Sequence, residues 1–176
     1  GNIPARGLKF IVSSDARPSS PELKKAVIEG LLDEGAQIID LGLTPTPFHY
    51  YAIVKEDADG GIMVTASHNP FRMNGLKLSK KGAEPLGDGM SVVKSIAERG
   101  IFDGKKPHRE VVEKSLVHEY IDFLISKVDL SKAKDLKIVL DAGGCMATTL
   151  LPRIIKRLPC KVVLVNHDLV FDIANE

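Results

Sequence analysis

The 176-residue chain lacks an excess of either charge. Lys and Arg number 24 against 23 Asp and Glu, for a formal net charge of +1. Such a balance argues against a polyanion-binding surface as the chain's main role, so nucleic acid is not an expected partner. Cysteine is scarce: Cys145 and Cys160 stand alone, with no CxxC pair. A disulfide framework is therefore excluded, a reducing cytoplasmic setting is favoured, and both thiols are expected as small buried groups. No apolar run approaches the roughly 18 residues that a membrane span needs, and nothing at the start reads as a secretory signal. A membrane is not an expected partner either. No G-x-G-x-x-G or P-loop pattern occurs, and Gly143-Gly144 reads as a tight turn between strand and helix.

What is present is the composition of a folded protein, with 44% hydrophobic and 27% charged residues. Apolar runs alternate with helical periodicity. Strands are expected at Leu8–Val12, Gln37–Leu41, Ile62–Thr65 and Gly75–Ser79. Helices are expected from Pro21 to Glu34, with Ser20 as N-cap and Gly35 as stop, from Thr46 to about Glu56, and from Met90 to Arg99. This order implies an α/β fold: a three-layer α/β/α first domain on a mainly parallel sheet. The segment from Phe102 to Arg109 reads as a linker, with Lys105-Lys106 as a solvated pair. Beyond it a long helix is expected over Glu110–Val128, then a strand at Lys137–Leu140, a helix at Thr148–Arg157 and a strand at Lys161–Val165. The domains are thus 1–106 and 107–176. The second is expected to be an incomplete α/β domain, since two strands and two helices make a thin core. Its unfinished sheet edge favours association with missing domains or with a second copy.

The polar stretch Thr65-Ala66-Ser67-His68-Asn69-Pro70 follows an apolar strand, and ligands of open α/β sheets bind at the carboxyl ends of strands. A serine there can be a nucleophile, a phosphate carrier or a turn former. His68 can donate to an anionic oxygen or tune the serine. On chemistry alone the Ser/Asn/Pro turn is the plainer reading.

That run, followed by Asn74-Gly75-Leu76-Lys77, resembles the active-site serine loop of the α-D-phosphohexomutases, the phosphoglucomutase/phosphomannomutase superfamily. Asp15-Ala16-Arg17 with Ser19-Ser20 resembles the same family's first strand–helix junction. The resemblance covers residues 8 to about 100 well and the second unit weakly. It implies that Ser67 is a phosphoserine that exchanges its phosphoryl group with hexose 1- and 6-phosphates through a hexose 1,6-bisphosphate. It implies Mg²⁺, with a phosphoserine oxygen of Ser67 as one ligand. Lys77 would act in acid/base chemistry or phosphate contact, Arg17 would hold or orient the phosphoryl region, and His68 would support the loop. Plainer roles are a surface lysine for Lys77 and an ion pair with Asp15 for Arg17. The family's D-G-D-x-D-R segment, source of the other metal carboxylates, is absent. Ser13-Ser14 replaces its usual Gly-Arg, and Asp141-Ala142-Gly143-Gly144-Cys145 departs from its second-domain turn. The chain alone is therefore expected to have little turnover. The alternative is a non-catalytic truncated paralogue that binds a sugar phosphate or a protein partner.

Overall fold

The structure is a computed structural model that describes residues 7–102, 105–107 and 109–169. Among these residues, five strands form one sheet in the order β4-β3-β1-β2-β5. They are β1 (Lys9–Ser14), β2 (Gln37–Leu43), β3 (Gly60–Val64), β4 (Leu76–Lys80) and β5 (Val111–Glu113). All neighbours run parallel except β4, which returns antiparallel beside β3. The β3–β4 connection is too short for a parallel crossover, and it is the serine loop.

Side chains alternate across β1. Ile11 faces one layer of the sandwich and joins a core with Ile39, Phe48, Ala52 and Ile53. On the opposite face lie Val12 and Ile38, both buried, and Asp40, whose carboxylate meets Lys24 at 2.8 Å. Helix α1 (Ser20–Asp33) therefore covers one face and α2 (Thr46–Lys55) the other, the three-layer arrangement that the alternation predicts. Ser20 does not cap α1. It lies inside the helix, and its hydroxyl donates to Asp15. Thr46 likewise is the first helical residue, preceded by Pro45. Helix α3 (Gly89–Arg99) ends on Gly100, whose left-handed backbone (φ 61°) suits glycine.

The helix expected over Glu110–Val128 is two elements. Val111–Glu113 pairs with Ile38–Asp40 of β2 and closes the first sheet, and α4 (Val117–Ser126) begins only after Leu116. An exposed strand edge and an apolar Val-Val pair together override local helical periodicity. Tyr120 of α4 stacks on Phe48 at 4.9 Å and meets Tyr51 at 5.0 Å, so the Tyr50-Tyr51 end of α2 packs against α4. Lys105 and Lys106 are not a free linker pair. They bridge to Asp33 and Glu34 at the end of α1, while Asp103, Gly104 and His108 lie outside the described residues. Further on, β6 (Lys137–Asp141) and β7 (Lys161–Val165) pair in parallel as a separate two-stranded sheet. Between them Pro152 sits at the start of a short α5 (Leu151–Ile155), preceded by a 3-10 turn over Met146–Thr149, so the expected helix is broken. Cys145 is exposed in the turn after β6 and Cys160, just before β7, is partly exposed, so neither is the fully buried group expected.

Two features of the α2 face went unread in the sequence. His49 is fully buried, with Nδ1 2.8 Å from Ser13 Oγ and Nε2 without a hydrogen-bond partner among the described residues. Burial lowers its pKa from 6.5 to about 4. Because the native ring resists protonation, the native state binds fewer protons than the unfolded chain between these values. Stability is therefore complete above pH 6.5 and falls as pH drops toward 4, by on the order of 3 kcal/mol. Urea unfolding at pH 7.5, 5.5 and 4 should show this limb, and His49→Asn, which does not titrate, should flatten it. Gly61 makes room for the ring: a Cβ there would lie 2.7 Å from His49 Nε2 and 2.5 Å from Ile53 Cδ1. Gly61→Ala should cost about 1–3 kcal/mol by overpacking, read as a lower urea midpoint.

Candidate active site

The carboxyl end of β3 is where the chain leaves the sheet. Asp15 N–H donates to Val64 C=O and Thr65 N–H to Gly75 C=O, so β1 and β4 flank the departing segment. The next residues turn sharply. Ser67 adopts φ 57°, a left-handed backbone that an L-residue with a side chain rarely takes. Its N–H is held by Thr65 Oγ1 at 2.9 Å, and Asn69 N–H and Nδ2–H both donate to Ala66 C=O. Ser67 through Pro70 are exposed, and Ser67 Oγ lies 3.0 Å from His68 Nδ1. The loop thus presents one solvent-facing hydroxyl with an imidazole at hydrogen-bond distance.

Arg17 binds the loop from beneath. A guanidinium has five N–H donors, and all five are engaged. Nε donates to Asp15 Oδ2 at 3.1 Å. Nη1 donates to Pro70 C=O at 2.8 Å and Met73 C=O at 2.9 Å. Nη2 donates to Ser67 C=O at 3.0 Å and Asn69 C=O at 2.9 Å. In this state no donor remains for a phosphoryl oxygen, so Arg17 shapes the backbone that carries Ser67. The ion pair with Asp15, the plainer role considered for this residue, is also present.

The structure brings Ser67, His68 and Arg17 together. Lys77 stands apart on β4. It is in register with Met63 and, through Met63, with Ser13, which places it on the α2 face of the sheet's edge strand. Lys77 is half-buried and has no ion-pair partner among the described residues. Asp15, Ser20 and Asn74 are structural neighbours of the loop that the motif alone did not single out, although all three lie inside the quoted patterns. Asn74 Nδ2 donates to Ser19 Oγ at 2.9 Å and Ser20 Oγ at 3.0 Å.

Among the described residues no group of three or more His, Cys, Asp or Glu side chains is placed to hold a metal. The Asp15 carboxylate, tied to the loop through Arg17, already accepts from Ser20 Oγ, Arg17 N–H and Arg17 Nε.

Comparison with known proteins identifies the family. Residues 2–102 match the family model "Phosphoglucomutase/phosphomannomutase, alpha/beta/alpha domain I". The chain belongs to the phosphoglucomutase/phosphomannomutase family. A phosphomannomutase of Vibrio cholerae is 36% identical over 165 residues, covering 90% of this chain and 36% of that protein. A phosphoglucomutase/phosphomannomutase of Thermococcus kodakarensis is 34% identical over 165 residues, covering 89% of this chain and 35% of that protein. A crystal structure of a Burkholderia thailandensis protein of the same family superposes with a TM-score of 0.80 at 29% identity, covering 96% of this chain and 38% of that one. The chain therefore spans little more than a third of the length of these relatives.

Proposed function

We propose that this chain is the serine-bearing part of a phosphohexomutase that interconverts hexose 1- and 6-phosphates through phosphorylated Ser67. The observation that supports this most is the exposed Ser67 hydroxyl, held in a left-handed backbone by five Arg17 hydrogen bonds to the loop and to Asp15. Strain of this kind persists where surrounding contacts over-determine it, and it clusters at reactive positions. In this reading residues 1–106 form the first domain and 107–176 begin a second. The separate β6–β7 sheet supports that division, while β5 crosses back to complete the first sheet.

The reaction is a phosphoryl exchange. A hydroxyl of the hexose phosphate attacks phosphorus, an O–P bond forms, and the P–Oγ bond of Ser67 breaks. The hydroxyl's proton passes to a base, for which the Lys77 side chain, as its neutral amine, is the candidate. The serine oxygen regains a proton, and His68, 3.0 Å away, is placed to supply it. The resulting hexose 1,6-bisphosphate reverses the sequence with its other phosphate. Mg²⁺, when bound, would neutralise charge on the transferring group, with an oxygen on Ser67 as one hard ligand and the rest contributed from outside the described residues. We place the protein in the cytoplasm, which suits its two unpaired cysteines.

The test is turnover. The chain alone should interconvert glucose or mannose 1- and 6-phosphates poorly, and the whole protein readily. Robust turnover by the 176 residues alone would overturn the division of labour proposed for them. Absence of turnover in the whole protein on glucose, mannose and glucosamine phosphates would overturn the reading itself.

A further inference from the structure

We propose that Asp15 is a positioning residue for Ser67, acting through Arg17. This rests on the reading of Ser67 as phosphoryl carrier but assigns a residue that the reading does not use. A guanidinium on a flexible stem holds four carbonyls of an exposed loop only if its plane is fixed. Asp15 fixes it. The carboxylate lies at the end of β1, its side chain only 9% exposed, and Oδ2 accepts from Arg17 Nε at 3.1 Å. Its other oxygen accepts Arg17 N–H at 3.1 Å and Ser20 Oγ at 2.6 Å, so strand, helix and guanidinium are locked to one group.

The four carbonyls belong to Ser67, Asn69, Pro70 and Met73, on both sides of the loop's tip. Releasing Arg17 would free the whole span, including the residue held at φ 57°. The Asn74 side chain supplies a second tie to the same helix start, through Ser19 and Ser20. Because Ser20 is shared between Asn74 and Asp15, the carboxylate lies at the junction of both ties. Asp15 touches neither Ser67 Oγ nor His68, so its effect must travel through the backbone.

The experiment is amide hydrogen exchange on Asp15→Asn, with Asp40→Asn as control. Asp40 forms a comparably buried pair with Lys24 on the α1 face but has no bond to the loop. In Asp15→Asn, exchange at Ser67, Asn69 and Met73 should accelerate by about tenfold or more, while Met63 inside β3 stays protected. Asp40→Asn should leave the loop amides unchanged. In the whole protein Asp15→Asn should lower kcat while KM holds. If Asp15→Asn does not fold, Arg17→Lys, which keeps the charge but cannot span four carbonyls, carries the same comparison. Unchanged loop exchange in the folded variant, or equal acceleration in Asp40→Asn, overturns the proposal. Faster loop exchange in a protein whose wild type never phosphorylates Ser67 would uphold the role of Asp15 and defeat the carrier reading.

Discussion

Ser67→Ala should abolish phosphoryl transfer while leaving the fold almost untouched. The two effects separate because of where the hydroxyl sits. Among the described residues Ser67 Oγ hydrogen-bonds only with His68 Nδ1, and both residues are exposed. The contacts that hold the loop run through the Ser67 carbonyl and N–H, which alanine keeps. Alanine also suffers much the same left-handed strain as serine, so the backbone cost does not change. Stability should move by no more than about 0.5 kcal/mol. Transfer should fall by at least about 10³-fold, since no other hydroxyl stands at the loop tip. Steady-state rates in the whole protein, with urea unfolding of the same sample, check both halves. Residual transfer near the wild-type rate would show that the group is carried elsewhere.

Arg17→Met should be the most destabilising single change at the site. It leaves the Asp15 carboxylate, 9% exposed, without its cation, and strips donors from four carbonyls. Removing one partner of a buried ion pair costs about 3–5 kcal/mol. The exposed carbonyls add less, because water replaces the lost donor. A domain of this size has about 5–15 kcal/mol in total, so the variant should unfold at a much lower urea concentration. Phosphorylation of Ser67 should fall with it. A loss below about 1 kcal/mol would mean that the guanidinium only decorates the loop.

The serine loop was readable in the sequence because its chemistry is contiguous: Thr65 to Lys77 lie within one hairpin, and an apolar run announces the strand before it. The order of the first four strands was readable for a similar reason, each run being bounded by its own polar or glycine stop. What escaped depends on distant partners. Arg17 meets carbonyls 50 to 56 residues away, and His49 meets Ser13 across 36 residues. Neither separation leaves a periodic trace. Val111 and Val112 continue a helical-looking pattern, and only the open edge of β2 makes them a strand. His49 resembled any other residue on a helix, because the glycine that admits its ring lies on a different element, β3.

The central claim is that Ser67 carries a phosphoryl group, and the intact mass of the native protein tests it most directly. The account predicts a mass above that of the bare polypeptide by one phosphoryl group, located on Ser67 by fragmentation and absent from Ser67→Ala. A bare mass that persists after incubation with a hexose 1,6-bisphosphate and Mg²⁺ would contradict it.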